Sequence, residues 1–434
     1  MTNTTLTQLR HRILDAISGA RPPERSAWTW PGIYLGEGKG GPVWSGPQHH
    51  ALVIGPPRSG KTTSVVIPTV AAHDGPVLVT STKHDVLHAT IRRRRQLGTC
   101  WLWDPISTGP FPAGVEPLRW SPIQGCQRWD TAVARAWSLA AAARPGQQFT
   151  ESAHWLERAQ ALLAPLLHAV ALEGLDLAQL LGWLQRHELD PPLDILDEHH
   201  ARFASNLLRG IERTDRRERS GIYSTADSIL AAYRTDAALA AARASNFDPA
   251  TFATGRHTVY ICAPAAAQAH QAPLVVAFIH HIRDTINERP RPWPPVIWAL
   301  DEVANIAPIP DLPNIVADSA AQGLLVLACL QDLSQARQRW GPAADGFLTL
   351  FATTLILPGI ADLPTLQLVS ALAGETEQRR TSVTRPPLFG TRTIHSETRP
   401  RLPVQAVAAG REGEAVLLRG GRLLRLRLAK GTGL

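Results

Sequence analysis

The sequence is poor in cysteine and has no long apolar run. Its 434 residues include four cysteines that lie far apart and form no C-x-x-C pair: Cys100, Cys126, Cys262 and Cys329. This spacing predicts neither a disulfide framework nor a zinc site, and we expect reduced core thiols. No stretch reaches the roughly 18 apolar residues of a membrane span, and the N-terminus lacks the apolar core of a signal peptide. We therefore expect a soluble, cytoplasmic protein.

Lysine is also scarce, since only four of the 44 basic residues are lysines. The net charge of +7 is compatible with a nucleic-acid partner or an acidic membrane surface but requires neither. With 44% hydrophobic and 19% charged residues, the composition is typical of a folded protein. The length suits two domains.

Short apolar runs alternate with helix-length segments on both sides of a long helical region. The runs predicted as strands are 51–54, 76–80, 99–103, 258–263, 296–300, 324–330 and 354–358. Continuous apolar strands separated by helices predict an α/β fold with a mostly parallel sheet. Residues 414–428 predict a hairpin around Gly420 and Gly421.

The helical region predicts a separate all-α domain. From residue 126 to residue 245 the strand pattern is replaced by Ala-, Leu- and Arg-rich helical periodicity. We therefore predict an all-α domain, 126–245, inserted into a nucleotide-binding domain made of 49–125 and 246–434. We expect residues 1–48 to form an N-terminal extension, with a short helix at 6–17 and an irregular Gly-, Pro- and Trp-rich approach to the core.

A phosphate-binding loop follows the first predicted strand of the α/β region. The pattern G-x-x-x-x-G-K-[ST] is matched by Gly55, Pro56, Pro57, Arg58, Ser59, Gly60, Lys61 and Thr62, and Thr63 adjoins it. The strand before it and the helix after it are the context that this motif requires. Backbone N–H groups and the helix N-terminus would face the phosphates of ATP. Lys61 would reach the β- and γ-phosphates, and the Thr62 hydroxyl would ligate Mg²⁺.

Acidic and amide side chains follow two later strands. Asp301 and Glu302 come directly after 296–300, and Gln331 follows 324–330. Ligands bind at the carboxyl edge of parallel sheets, so these residues are candidates for the same site. Asp301 would hold Mg²⁺, Glu302 would polarise the attacking water, and Gln331 would orient that water or sense the γ-phosphate.

One run of four arginines, 92–95, lies on a predicted helix. Two interpretations are open. The run is either a solvated helix face, which we favour, or a contact to the phosphate backbone of a nucleic acid.

The order of P-loop, helical insertion, acidic strand and strand-terminal glutamine resembles the TraG/VirD-type family of type IV secretion coupling proteins. Smaller matches are Pro68 after the P-loop, Trp103-Asp104-Pro105, Asp301-Glu302-Val303-Ala304-Asn305-Ile306, and Gln335 after Gln331. The resemblance covers roughly residues 50–375. It implies a RecA-like P-loop NTPase domain carrying an all-α domain.

The resemblance further implies a homo-hexameric ring with nucleotide sites between subunits. The expected partners are DNA, with single-stranded DNA favoured, or a protein–DNA conjugate, together with secretion-channel and relaxosome proteins. Family members usually carry N-terminal transmembrane helices that this chain lacks. Any attachment to the inner face of the membrane is therefore expected through a partner.

A second departure concerns the arginine that such rings contribute to a neighbouring site. The corresponding stretch, 318–323, contains no arginine. Because an arginine in trans raises the rate by orders of magnitude, its loss predicts slow hydrolysis unless another residue substitutes. The candidates are Arg337, Arg339, Arg379 and Arg380.

Three functions are therefore open. The favoured one is an ATP-hydrolysing motor that delivers DNA or a protein–DNA substrate to a conjugation channel. The alternatives are a translocase of duplex DNA of the FtsK/HerA kind, and an adaptor that binds ATP and docks substrates with little turnover.

Overall fold

The computed structural model of the chain describes residues 32–104, 110–143, 150–265, 268–288, 294–384 and 391–429. The helix predicted at 6–17 lies outside these residues.

A sheet of twelve strands is the centre of the fold. Its strands in chain order are β1 Tyr34–Gly38, β2 Gly41–Trp44, β3 Ala51–Ile54, β4 Val77–Ser81, β5 Cys100–Trp103, β6 Glu116–Pro117, β7 Thr258–Cys262, β8 Val296–Leu300, β9 Leu324–Leu330, β10 Thr353–Ile356, β13 Glu414–Arg419 and β14 Arg422–Arg427. The spatial order is β2-β1-β14-β13-β10-β3-β9-β8-β4-β7-β5-β6. Neighbours from β10 to β6 pair in parallel, and those from β2 to β10 pair antiparallel.

The α/β prediction with a mostly parallel sheet is confirmed. All seven predicted strands of the parallel part are present, as is the hairpin at Gly420-Gly421. The prediction of an irregular N-terminal approach is wrong for residues 34–44, which form two strands at the edge of the main sheet. Glycines at high density hid these strands, because Gly36 and Gly41 adopt positive φ within or beside them. A separate two-stranded ribbon, β11 Glu375–Thr384 with β12 Thr391–Pro400, was also missed.

Both faces of the parallel strands from β10 to β5 are buried. Along β8, Val296, Trp298 and Leu300 pack into one core cluster, while Ile297 and Ala299 pack into another on the opposite face. Residues on a strand alternate between faces, so a strand covered on both sides is mostly apolar along its whole length. That requirement is why the continuous apolar runs located these strands.

Helices cover both faces of the sheet and form the region between β6 and β7. The helices are α1 Ile67–Ala72, α2 Asp85–Arg94, α3 Trp129–Ala143, α4 Thr150–Leu172, α5 Leu177–Arg186, α6 Asp190–Glu198, α7 Arg202–Glu212, α8 Arg216–Ile229, α9 Asp236–Arg243, α10 Pro249–Thr254, α11 Gln268–Asn287, α12 Val303–Ile306, α13 Leu312–Asp318, α14 Leu333–Trp340, α15 Phe347–Leu350, α16 Leu363–Leu372 and α17 Val404–Ala408. Among the residues described between 126 and 245, all regular structure is helical. The division into domains at these limits stays a prediction.

An aromatic cluster connects the helical region to the sheet. The indole of Trp103 on β5 lies 6.3 Å from that of Trp120 and 5.3 Å from the ring of Phe278 on α11. The Arg135 guanidinium of α3 stacks 4.9 Å above the Trp120 ring. Trp120 Nε1 donates to His281 Nδ1 at 2.9 Å, so its polar atom is satisfied in the core. Trp103 therefore serves packing between the sheet and the helices.

The two central residues of the arginine run, Arg93 and Arg94, match neither interpretation drawn from the sequence, because both side chains are buried. Arg92 and Arg95 are exposed, but Arg93 is 6% exposed and Arg94 is fully buried. Arg93 forms an ion pair with Asp74 at 2.6 Å. Arg94 donates to Thr258 Oγ1 at 2.7 Å and to the carbonyls of His73 and Gly75. These two arginines hold the segment before β4 to the start of β7, and they face neither solvent nor a nucleic acid.

Replacing Arg94 should destabilise the protein strongly. Arg94→Met removes a buried guanidinium and leaves carbonyl groups without donors, so the free energy of unfolding should fall by about 2–4 kcal/mol. Urea unfolding followed by circular dichroism measures it. Arg92→Met, an exposed change on the same helix, should cost less than about 0.5 kcal/mol. Equal effects of the two variants would contradict the structural role of Arg94.

Candidate nucleotide-binding site

The loop between β3 and the next helix has the backbone conformation of an anion cradle. Arg58 has φ 63° and Gly60 has φ 96°, both in the left-handed region. Residues of alternating hand turn successive N–H groups toward one side of the chain. Arg58 is exposed and is not a glycine, so its conformation is strained, as is common at ligand sites.

Glycine is sterically required at the first position of the loop. A Cβ on Gly55 would lie 2.7 Å from Leu357 Cβ and 2.7 Å from Ser59 Oγ. The Gly55 N–H donates to the carbonyl of Leu330 at the end of β9. The loop therefore starts in close contact with two neighbouring strands.

The Lys61 side chain is folded back onto the loop. It is 6% exposed, and its Nζ donates to the carbonyls of Gly55 and Pro56, the latter at 3.0 Å. A buried ammonium needs such acceptors. The Lys61 ammonium group is therefore held against the backbone of the loop.

The helix after the loop opens with a π-helical turn, Thr62–Val66, before α1. The Ile67 N–H reaches back five residues to the carbonyl of Thr62. Pro68 follows and has no N–H to continue the α-helical ladder, which favours this wider first turn. Thr62 and the exposed Thr63 occupy its start.

Parallel pairing brings the acidic strand to the loop. Asp301 is 5% exposed, and its Oδ2 accepts from Thr62 Oγ1 at 2.6 Å. The Thr80 hydroxyl, near the end of β4, donates to the main-chain carbonyl of Asp301 at 2.8 Å and fixes the strand end. The sequence motifs predict Thr62 and Asp301 as partners in one site, and the structure places these two residues together. No motif points to Thr80.

Burial dominates the electrostatics of Asp301. Desolvation raises the pKa of this carboxyl from its ordinary value of 3.8 to about 6, and the charge of Glu302 adds to the rise. The hydrogen bond from Thr62 and the charge of Lys61 act in the opposite direction. A divalent cation bound here would offset the desolvation cost of the carboxylate.

Glu302 occupies a left-handed backbone conformation, with φ 56° and ψ 48°, between β8 and α12. For a residue other than glycine this costs of order 1 kcal/mol, so it marks a position under constraint. Glu302 is half-buried, and its Oε2 lies 3.4 Å from Asn305 Nδ2. The carboxylate is therefore partly open to solvent beside buried Asp301.

Gln331 lies between the loop and the acidic strand, because β9 pairs with β3 on one side and β8 on the other. Its main-chain N–H donates to the side-chain oxygen of Gln335 at 2.9 Å. The position is half-buried. The three strand ends thus carry the loop, Gln331 and the Asp301-Glu302 pair side by side.

A contact that the sequence does not indicate joins the loop helix to the residues after β14. Ser64 Oγ donates to the carbonyl of Ala429 at 2.8 Å, and Leu428 is buried near Gly60. The two segments are 365 residues apart in the chain, so no local pattern reveals their contact.

The structure distinguishes two of the candidate arginines. Arg337 lies 3.4 Å from Asp345 and 3.8 Å from Asp362. Arg339 is half-buried, and desolvation lowers its pKa. Arg379 and Arg380 are on β11, in the part of the ribbon whose side chains lie outside those described. The assignment of an arginine in trans stays a prediction.

Residues 2–403 match the protein family described as Type IV secretory system, Conjugative DNA transfer. The chain belongs to that family. The resemblance stated from the sequence is thereby confirmed.

One curated relative and several solved structures are similar to the chain. Protein VirD4 of Rhizobium rhizogenes is 38% identical over 64 residues, which span 13% of this chain and only 10% of VirD4. The bacterial conjugative coupling protein TrwBdeltaN70, in its unbound monoclinic form, has a TM-score of 0.72 at 17% identity, covering 99% of this chain and 92% of that one. TrwB in complex with ADP and Mg²⁺ has a TM-score of 0.70 at 17% identity, covering 93% and 89%. The shared fold confirms the predicted RecA-like domain with an all-α region.

Within the described part of the chain, no helix has both the length and the apolar character needed to cross a membrane.

The raised pKa of Asp301 predicts how Asp301→Asn changes stability with pH. The folded state keeps this proton to higher pH than the unfolded chain, so wild-type stability falls as pH rises from about 4 to about 6. At about pH 8 the variant, without nucleotide, should be about 1–3 kcal/mol more stable than wild type. Near pH 4 the difference should disappear. Urea unfolding at both pH values tests this.

The exposed carboxyl of Asp318 provides the control. Asp318→Asn should change the free energy of unfolding by less than about 0.5 kcal/mol at either pH. A destabilised Asp301→Asn at about pH 8 would show that the carboxylate is satisfied by the protein alone.

Proposed function

We propose that this chain is the motor ATPase of a conjugative DNA transfer apparatus. The observation that carries the proposal is the 2.6 Å contact between the Thr62 hydroxyl and the Asp301 carboxylate, beside a loop in anion-cradle conformation. A hydroxyl and a carboxylate are the oxygen ligands that Mg²⁺ takes in P-loop sites. Family membership supplies the context of DNA transfer.

The residues present fit ATP and Mg²⁺. Gly55 is packed so tightly against Leu357 and Ser59 that no side chain fits there, and Arg58 and Gly60 adopt the left-handed conformations of an anion cradle. Lys61 would exchange its two loop carbonyls for phosphate oxygens. Thr62 and Asp301 would hold Mg²⁺, which when bound neutralises charge on the phosphates. TrwB structures with ADP and Mg²⁺ and with a non-hydrolysable ATP analogue support this assignment by their shared fold.

We assign hydrolysis to the carboxylate of Glu302 and the side-chain amide of Gln331. Glu302 is half-buried next to Asp301, where it would accept a proton from the attacking water. Gln331, at the end of the strand between loop and acid, would hold that water or register the γ-phosphate. The two carboxylates thus have separate tasks, because the buried one binds the cation and the more exposed one meets water.

The transported polymer and the assembly follow from family membership. We propose a homo-hexamer that moves DNA, with single-stranded DNA favoured, or a protein–DNA conjugate toward the channel, with the helical region as an all-α domain facing channel or relaxosome proteins. Similarity to the coupling protein TrwB and to VirD4 supports this reading over a translocase of the FtsK/HerA kind. Attachment to the inner face of the membrane would come through a partner.

ATPase assays of the purified full chain test the motor. Lys61→Ala and Glu302→Gln should each lower turnover by at least about 10²-fold, because they remove charge stabilisation and the general base. Lys39→Ala, an exposed lysine between β1 and β2, is the matched control and should keep wild-type turnover. Single-stranded DNA should stimulate wild type more than duplex DNA does.

Each other outcome points to a different function. Stimulation by duplex DNA alone would favour the intracellular translocase. Tight ATP binding without turnover under any condition would favour the low-turnover adaptor, which the arginine-free stretch 318–323 already supports. Turnover that persists in Lys61→Ala would contradict the assignment of the site itself.

A further inference from the structure

A second cluster of ligating side chains lies at the same edge of the sheet. His84 Nε2 is 3.0 Å from Asp104 Oδ2, and the donor atoms of His84, Asp104 and Cys262 all lie within 4.8 Å of one another. Cys262 is 4% exposed and Asp104 is 8% exposed. The His84 side chain is 31% exposed, so it is the most solvent-accessible of the three ligating side chains.

The sheet order explains why residues so distant in sequence meet here. Cys262 is the last residue of β7, which pairs in parallel with β4 on one side and β5 on the other. His84 follows β4 by three residues and precedes the first turn of α2, and Asp104 follows β5 directly. Three adjacent carboxyl ends therefore each supply one ligand.

Asp104 is incompletely satisfied by protein. Its Oδ2 contacts His84, but its Oδ1 is buried, and no donor among the described residues reaches it. A buried carboxylate oxygen without a partner carries a free-energy cost that an ordinary core side chain does not. A simple histidine–aspartate hydrogen bond accounts for Oδ2 alone. The second oxygen, Oδ1, is thus available to a positively charged ligand.

We propose that His84, Asp104 and Cys262 bind a divalent metal ion of the zinc class. Imidazole nitrogen, carboxylate oxygen and thiolate sulfur together suit Zn²⁺ or Co²⁺, whereas Mg²⁺ and Ca²⁺ take oxygen ligands. Donor atoms around a tetrahedral Zn²⁺ are about 3.3–3.8 Å apart, so side-chain rotations of this cluster suffice. On binding, the Cys262 thiol releases one proton to solvent, and its sulfur bonds to the ion.

Three protein ligands leave the fourth position for water or an incoming donor. The ion would tie the ends of β4, β5 and β7 together. Near its end, β4 also carries Thr80, which holds the main chain of Asp301. The metal cluster and the nucleotide site are thus separate ligand sites that share one strand.

Cobalt titration of the nucleotide-free full chain tests the site directly. Wild type should bind one equivalent of Co²⁺ and show the sulfur-to-cobalt charge-transfer absorption of a thiolate ligand, and Zn²⁺ should displace the cobalt. Cys262→Ser should abolish this absorption, and Asp104→Asn should weaken cobalt binding at least about tenfold. Circular dichroism confirms that each variant is folded, and Zn²⁺ should raise Tm of wild type but not of Cys262→Ser.

Three controls separate this site from others. Asp301→Asn should keep the thiolate absorption, since it removes only the carboxylate of the nucleotide site. Cys126→Ala, a buried cysteine in the helical region, should also keep it. His88 is exposed one turn after His84, with ring centroids 6.0 Å apart, and His88→Ala should leave cobalt affinity unchanged.

Two results would overturn the proposal. One is the absence of stoichiometric cobalt binding with thiolate absorption in wild type. The other is cobalt binding that is lost in His88→Ala and kept in Cys262→Ser, which would indicate a surface histidine pair on the helix.

Discussion

Parallel pairing of β3, β9 and β8 is the constraint on which the site depends. It places Gly55, Gln331 and Asp301 at three neighbouring strand ends, and it brings Thr62 within 2.6 Å of a carboxylate 239 residues later in the chain. Ladder hydrogen bonds and apolar packing on both faces hold these ends in register, so the ligand groups need little support from their own loops. At the same edge of the sheet, the ends of the next three strands, β4, β7 and β5, bring His84, Cys262 and Asp104 together.

The site keeps opposite charges buried before any ligand binds. The Lys61 ammonium donates to loop carbonyls, and the Asp301 carboxylate accepts from the Thr62 hydroxyl. Desolvation raises the pKa of Asp301 to about 6. In both cases burial disfavours the charged form of the side chain, and the hydrogen bonds offset only part of that cost. Phosphate would replace the carbonyls around the ammonium, and a cation would replace the hydrogen bond as the main partner of the carboxylate. Ligand binding would therefore relieve costs that the folded chain carries alone.

Sequence patterns located what is periodic or contiguous. The apolar runs identified the parallel strands because each is buried on both faces, and the P-loop pattern is contiguous by nature. Contacts made only through tertiary structure gave no signal. Thr80 holds Asp301, Ala429 meets Ser64, and Cys262 meets His84, and in each pair the partners are separated by well over a hundred residues.

Predictions based on local composition were wrong at two places, residues 34–44 and 92–95, because tertiary packing decides the structure there. The glycine-rich residues 34–44 read as irregular, yet pairing with β14 makes them strands. The four arginines of 92–95 read as one charged face, yet helix geometry turns two of them inward, where Asp74 and main-chain carbonyls accept hydrogen bonds from them. Charge alone does not decide exposure when buried acceptors are available.

A double-mutant cycle shows whether Thr62 and Asp301 form one Mg²⁺ site for ATP. The quantity to measure is the gain in affinity for a fluorescent ATP analogue on adding Mg²⁺, in wild type, Thr62→Val, Asp301→Asn and the double variant. If both residues act through one ion, each single change removes most of this gain and the double change removes little more. Additive losses, or a full Mg²⁺ gain in Asp301→Asn, would contradict a shared ion site.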